Sequence, residues 1–126
     1  MLDTAAILAY LVQETGAERI EGMIEDGAAV STVIVQETMS KLVQLGLPRE
    51  AAEEAIVSVG LNVHDVTFAL AIEAGTMFPL TKPFGLSLSD RACLALGRTL
   101  NVPVATADKQ WSKAANELGV RVEQFR

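Results

Sequence analysis

Short apolar runs alternate with helical segments along the whole of this 126-residue chain. The runs are Ala28-Ala29-Val30, Leu61 to Val63 and Val102 to Ala105, and Leu2 leads into Asp3 at the start. Ala5 to Leu11 reads as a helix, and residues 16 to 26 carry a helical stripe of Ala17, Ile20, Met23 and Ile24 that Asp26-Gly27 stops. Ser31 or Thr32 is expected to cap a helix that runs to about Leu45 and ends at Gly46. Pro48 suits the first turn of the next helix, which presents Ala51, Ala52, Ala55, Ile56 and Val59. Asp65 is expected to cap a helix to Ala74, closed by Gly75. Across residues 76 to 86, Pro79, Pro83 and Gly85 predict the longest loop. Ser87 opens a helix through Leu100, a further helix ends at Leu118-Gly119, and Val120 to Phe125 alternates as an edge strand does. Strand and helix alternating in this way imply an α/β fold, a three-layer sandwich with a central parallel sheet flanked by helices.

Composition narrows the function classes. Half the residues are hydrophobic, which excludes disorder, and the length suits one domain over residues 1–126. The apolar run from Ala5 to Val12 is far short of the roughly 20 residues that span a bilayer, and no basic segment precedes it, so no membrane association is expected. Cys93 is the only cysteine, so an internal disulfide is impossible and a reducing, cytoplasmic setting is expected. His64 is the only histidine, which rules out a histidine-rich zinc site within one chain. The net charge of −6 argues against a sequence-independent DNA-binding surface, yet it suits a basic protein partner.

Four carboxylates fall where a strand ends or a helix begins: Asp3, Glu37, Asp90 and Asp108. In open parallel sheets ligands bind beyond the carboxyl ends of the strands, and all four map to that side. Each acid alone has an ordinary reading. Asp3 can cap the helix after it, Glu37 can pair with Lys41 at i+4, Asp90 stands in capping-box register with Ser87, and Asp108 suits a turn. Those separate readings do not explain why all four converge on one edge. Clustered carboxylates repel unless a hard cation lies between them, and Mg²⁺ and Mn²⁺ prefer oxygen ligands.

Taken in order, four strings resemble the acidic motifs of the PIN-domain nucleases. They are Leu2-Asp3-Thr4-Ala5, Val30-Ser31 followed by Glu37, Gly85-Leu86-Ser87-Leu88-Ser89-Asp90 at the head of an Ala/Leu-rich helix, and Thr106-Ala107-Asp108-Lys109-Gln110-Trp111. Only Met1 and Leu2 precede Asp3, so either the first strand is short or the start lies upstream. The length is similar to that of the ribonuclease toxin subunits of VapBC-type bacterial toxin–antitoxin pairs.

The resemblance implies a Mg²⁺- or Mn²⁺-dependent endoribonuclease acting by metal-assisted hydrolysis of RNA phosphodiesters. It implies Asp3, Asp90 and Asp108 as metal ligands and catalytic residues, with Glu37 as a ligand or an orienter of water. It further implies support from Thr106, and Arg91 is a candidate phosphate contact. The partners implied are a small antitoxin with a basic tail and a second copy of the chain in a homodimer. The rival reading is a non-catalytic RNA- or protein-binding module of the same fold, its acids kept for a structural ion or as caps. A haloacid-type phosphatase is set aside because its second aspartate, two residues after the first, is Ala5 here.

Overall fold

A computed structural model describes residues 1–126. In chain order the elements are α1 (Thr4–Leu11), α2 (Ala17–Glu25), β1 (Ala29–Ser31), α3 (Thr32–Gln44), α4 (Arg49–Val59), β2 (Asn62–His64), α5 (Phe68–Thr76), α6 (Phe78–Thr81), a 3₁₀ turn (Lys82–Phe84), α7 (Leu88–Leu100), β3 (Val104–Thr106), α8 (Gln110–Leu118) and β4 (Val122–Gln124). All strand pairing is parallel. β1 pairs with β2 in the register Val30 to Val63, and β3 pairs with β4 in the register Ala105 to Glu123.

The two strand pairs are joined by the first residues of the chain. Leu2 N–H donates to Ala29 C=O at 3.0 Å on one side, and Ala105 N–H donates to Met1 C=O at 2.9 Å on the other. Leu2 and Ala105 form a parallel bridge. The sheet therefore runs β2, β1, the Leu2 segment, β3, β4. From the central segment the chain moves outward first to β1 and β2, then back to β3 and β4. Right-handed crossovers in opposite directions place helices on opposite faces. The main contacts follow this: α1 packs on α2 and α3 and α3 on α4, while α5 packs on α7 and α6 on α8; α3 and α7 also meet, beside the site. This is the expected parallel sheet flanked by helices.

Local chemistry fixes where helices begin. Asp3, Ser31, Thr67 and Ser87 each accept, through the side chain, from a backbone N–H three residues on, at Ala6, Ile34, Leu70 and Asp90. Such caps satisfy amides that have no partner inside the helix. Thr67, and not the expected Asp65, caps α5, and Gly75 lies inside that helix rather than closing it. Pro48 is the residue before α4, one position earlier than the first turn. β1, β2 and β3 each end one residue later than their apolar runs, because Ser31, His64 and Thr106 pair in the sheet although they are polar.

Residues 76 to 86 are not the expected loop: α6 and the 3₁₀ turn fill most of it. Pro79 and Pro83 each fall in the first turn, where proline's missing N–H has no helical partner to lose. The core beneath the sheet edge includes the fully buried Leu2, Ile7, Ile34, Val30, Leu94, Val104 and Trp111.

Gly97 lets α7 lie close on β3. A Cβ built there would stand 2.5 Å from Val104 Cγ2 and 3.4 Å from Val102 O. Gly97→Ala is expected to lose stability by about 1 kcal/mol net, because overpacking costs about 1–3 kcal/mol and the gain in helix propensity returns about 1. An unchanged or raised melting temperature would show that α7 can shift without cost.

Candidate active site

The C-terminal ends of the Leu2 segment and β3 lead straight into the site. Asp3 follows Leu2, and Asp108 lies two residues beyond the end of β3. Glu37 projects from the second turn of α3, which leaves β1 directly, and Asp90 lies in the first turn of α7. All four carboxylates line one open cleft of about 340 Å³, together with Thr4, Ala5, Thr106, Ala107 and Trp111. A larger groove elsewhere, between α3 and α4, is apolar and holds only one charged residue, Glu53, so it carries none of this chemistry.

Each acid has a carboxylate oxygen engaged, three of them by nearby backbone amides and Glu37 from another helix. Asp3 Oδ1 accepts from Ala6 N–H at 2.8 Å, Asp90 Oδ2 from Ser87 N–H at 2.8 Å, and Asp108 Oδ1 from Gln110 N–H at 2.9 Å. Glu37 Oε2 accepts a short hydrogen bond from the Ser89 hydroxyl. Asp90 and Ser87 complete the capping box expected of them. As the side chains stand, no three of the acids form a set close enough to enclose a cation. No lysine or arginine pairs with any of them: the two ion pairs of the chain are Arg98 with Glu73 and Arg126 with Glu14. The expected Glu37–Lys41 pair is absent, since Glu37 turns to Ser89 on α7 instead.

Thr106 is fully buried, hydrogen-bonds the Asp3 carboxyl, and accepts from Asp108 N–H at 3.1 Å. One hydroxyl thus ties together the two acids that end neighbouring strands. Arg91 is not brought into the cleft. Its guanidinium donates to Leu86 C=O at 3.2 Å and lies 5.2 Å from the centre of the Phe78 ring, which Lys82 also approaches at 5.8 Å. Trp111 is buried as packing, and it also forms one wall of the cleft. Ser89 is a functional residue that the sequence does not single out. Its only signal there is a second hydroxyl beside Asp90, and its role shows once α3 and α7 are seen to pack together.

A family model described as the PIN domain matches residues 1–117. The chain belongs to the PIN domain family. A solved structure, the crystal structure of VapBC2 from Rickettsia felis bound to a DNA fragment from their promoter, is similar at a TM-score of 0.75 and 14% identity, over 98% of this chain and 96% of that one. At that identity the likeness establishes the fold. No curated protein matches the sequence.

The electrostatics of this PIN domain follow from burial without counter-charge. Desolvation pushes the Asp3 pKa up from 3.8 to about 6; the hydrogen bonds from Ala6 and Thr106 oppose the rise, and Asp90 and Glu37 add to it. Asp90 is also raised, first by burial and then by Glu37 and Asp108, against the two Ser87 hydrogen bonds. Behind the cleft, burial pushes the Cys93 thiol up, with a contribution from Asp3. Its Sγ contacts Leu2 C=O at 3.7 Å, so it remains a neutral core residue.

A carboxyl whose pKa is higher folded than unfolded stabilises the fold when protonated. The Asp3 contribution is complete below about pH 3.8 and is lost as pH rises through about 6. In chelator, Asp3→Asn is therefore expected to be more stable than wild type at pH 7, by up to about 3 kcal/mol for a shift of roughly two units. The two proteins should converge towards pH 4. Parallel melting curves across that range would sink the assignment of an uncompensated Asp3.

Proposed function

We propose that this chain is a metal-dependent endoribonuclease and the toxin of a toxin–antitoxin pair. The observation that carries this reading is the single cleft lined by Asp3, Glu37, Asp90 and Asp108 with no basic partner. PIN domains are generally nucleases, and the donor set here is all oxygen, the kind that Mg²⁺ and Mn²⁺ take. Asp3, Asp90 and Asp108 would hold the ion, with Glu37 at the rim. When bound, a divalent cation offsets negative charge developing on the phosphate and the leaving 3′-oxygen.

The chain's own groups do the rest. Thr106 holds the Asp3 carboxyl and the Asp108 backbone in register. Ser89 fixes one oxygen of Glu37, so that the other is placed to orient a water towards the phosphate. Arg91 and Lys82, both on Phe78 and neither in an ion pair, offer positive charge on the shoulder of α7 to the RNA backbone. An antitoxin with a basic tail suits a chain of net charge −6, and the VapBC2 likeness supports an antitoxin partner. A homodimer is supported by Phe68 and Ile72, one turn apart on α5 and 85% and 55% exposed. No helix is long and apolar enough to cross a membrane.

One observation favours the non-catalytic alternative: Asp3 caps α1 and Asp90 completes the capping box of α7, so both acids already serve the fold. Asp90→Asn separates the two readings, because an amide oxygen can still accept from Ser87 while the charge is lost. Cleavage of an RNA pool in Mg²⁺ should fall roughly 100-fold or more, with the melting temperature in chelator kept or raised. Mg²⁺ should raise the melting temperature of wild type by mass action and of the variant less. A wild-type protein that neither cleaves RNA nor gains stability from Mg²⁺ or Mn²⁺ is the binding module instead.

A further inference from the structure

Two hydroxyls line the acid cleft, and only one of them is occupied. Thr106 Oγ1 accepts from Asp108 N–H and hydrogen-bonds Asp3. Thr4 is 5% exposed, and its Oγ1 is buried with no hydrogen-bond partner. Two other buried side-chain oxygens are unpartnered, on Thr38 and Gln124, but neither residue lines the cleft. A buried hydroxyl without a partner is costly, and folded proteins rarely keep one without a use.

The position of Thr4 explains why nothing in the chain uses it. It is the first residue of α1, and Asp3 already caps that helix by accepting from Ala6 N–H. The Thr4 hydroxyl is thus not needed as a cap. The remaining polar side chains of the cleft are chiefly carboxylates, each with an oxygen already engaged by a backbone amide or by Ser89. What the cleft offers a polyanion is therefore scarce in donors, and of its two threonine hydroxyls Thr4's is the one with no partner in the fold.

We propose that Thr4 is a substrate-positioning residue whose hydroxyl donates to a non-bridging oxygen of the scissile phosphodiester. This rests on the endoribonuclease reading and deepens it. The phosphate supplies the acceptor that the folded chain lacks, and a neutral donor beside Asp3 receives it without competing for a cation. Thr4→Val keeps the branched shape and removes the hydroxyl, and Thr4→Ser keeps the hydroxyl.

The test compares the three proteins with an RNA oligonucleotide in saturating Mg²⁺, alongside melting curves in chelator. Thr4→Val is expected to lose roughly 10- to 100-fold in kcat/KM, the effect of one hydrogen bond to a charged group. Its melting temperature should be equal to or above that of wild type, because no folded-state partner is lost. Thr4→Ser should recover most of the activity. Cleavage by Thr4→Val within twofold of wild type would overturn the proposal while leaving the nuclease reading intact. A lowered melting temperature for Thr4→Val would also overturn it, by showing that the hydroxyl serves the fold. No metal-dependent cleavage by wild type removes both.

Discussion

The backbone of Leu2 holds this fold together. It is the rung shared by two halves of the sheet: Leu2 N–H donates to Ala29 on the β1 side, and the adjoining Met1 C=O accepts from Ala105 on the β3 side. Without it there are two separate two-stranded pairs, neither of which could bury both faces. The register of that rung also sets the site. With Leu2 opposite Ala105, the next residues along are Asp3 and Thr106, which then meet at the edge of the sheet. A slip of one residue would turn Asp3 to the other face and leave Thr106 with nothing to hold. The strand order reverses direction at this point, where parallel sheets open a crevice for ligands.

The same carboxylates serve the fold and the cleft, which reconciles readings that compete in the sequence. Asp3 caps α1 and lines the site; Asp90 completes a capping box and lines the site. Capping needs one oxygen, which leaves the other for a ligand. The cost shows in the raised pKa of Asp3 and Asp90, where desolvation outweighs the hydrogen bonds made. A surface cap would remain solvated and carry no such strain. Burial of capping acids beside one another, with the lysines and arginines paired or placed elsewhere, is the physical sign of a site that awaits positive charge.

Much of this was legible in the sequence because it rests on local chemistry. Short apolar runs between capped helices give a parallel sheet, and acids just after those runs fall at one edge. Non-local facts were not legible. Ser89 reaches Glu37 only because α3 and α7 meet, and i+4 spacing pointed to Lys41 instead. Arg91 adjoins Asp90 in sequence, but about 100° of helix rotation turns it away from the cleft, towards Phe78. Proline misled at residues 76 to 86, where two short helical turns each place it in their first turn. Asp65 gave way to Thr67 because Val66 N–H is taken by Thr32 Oγ1 across the sheet edge, which keeps the chain extended there.

Charge decides what can enter the cleft. A phosphodiester meets four carboxylates on a chain of net charge −6, and screening at physiological salt extends only about 8 Å. Repulsion inside the cleft is therefore not removed by bulk ions; it must be cancelled at the acids themselves. A divalent cation does this and leaves room for RNA. A basic peptide segment does it too, but fills the space. Under the proposed function, activation and inhibition are two ways of meeting the same deficit, and the acids that make the protein a nuclease also make it open to a basic partner. Asp3, the most buried of the four, is where that deficit is greatest, so whatever neutralises Asp3 controls the site.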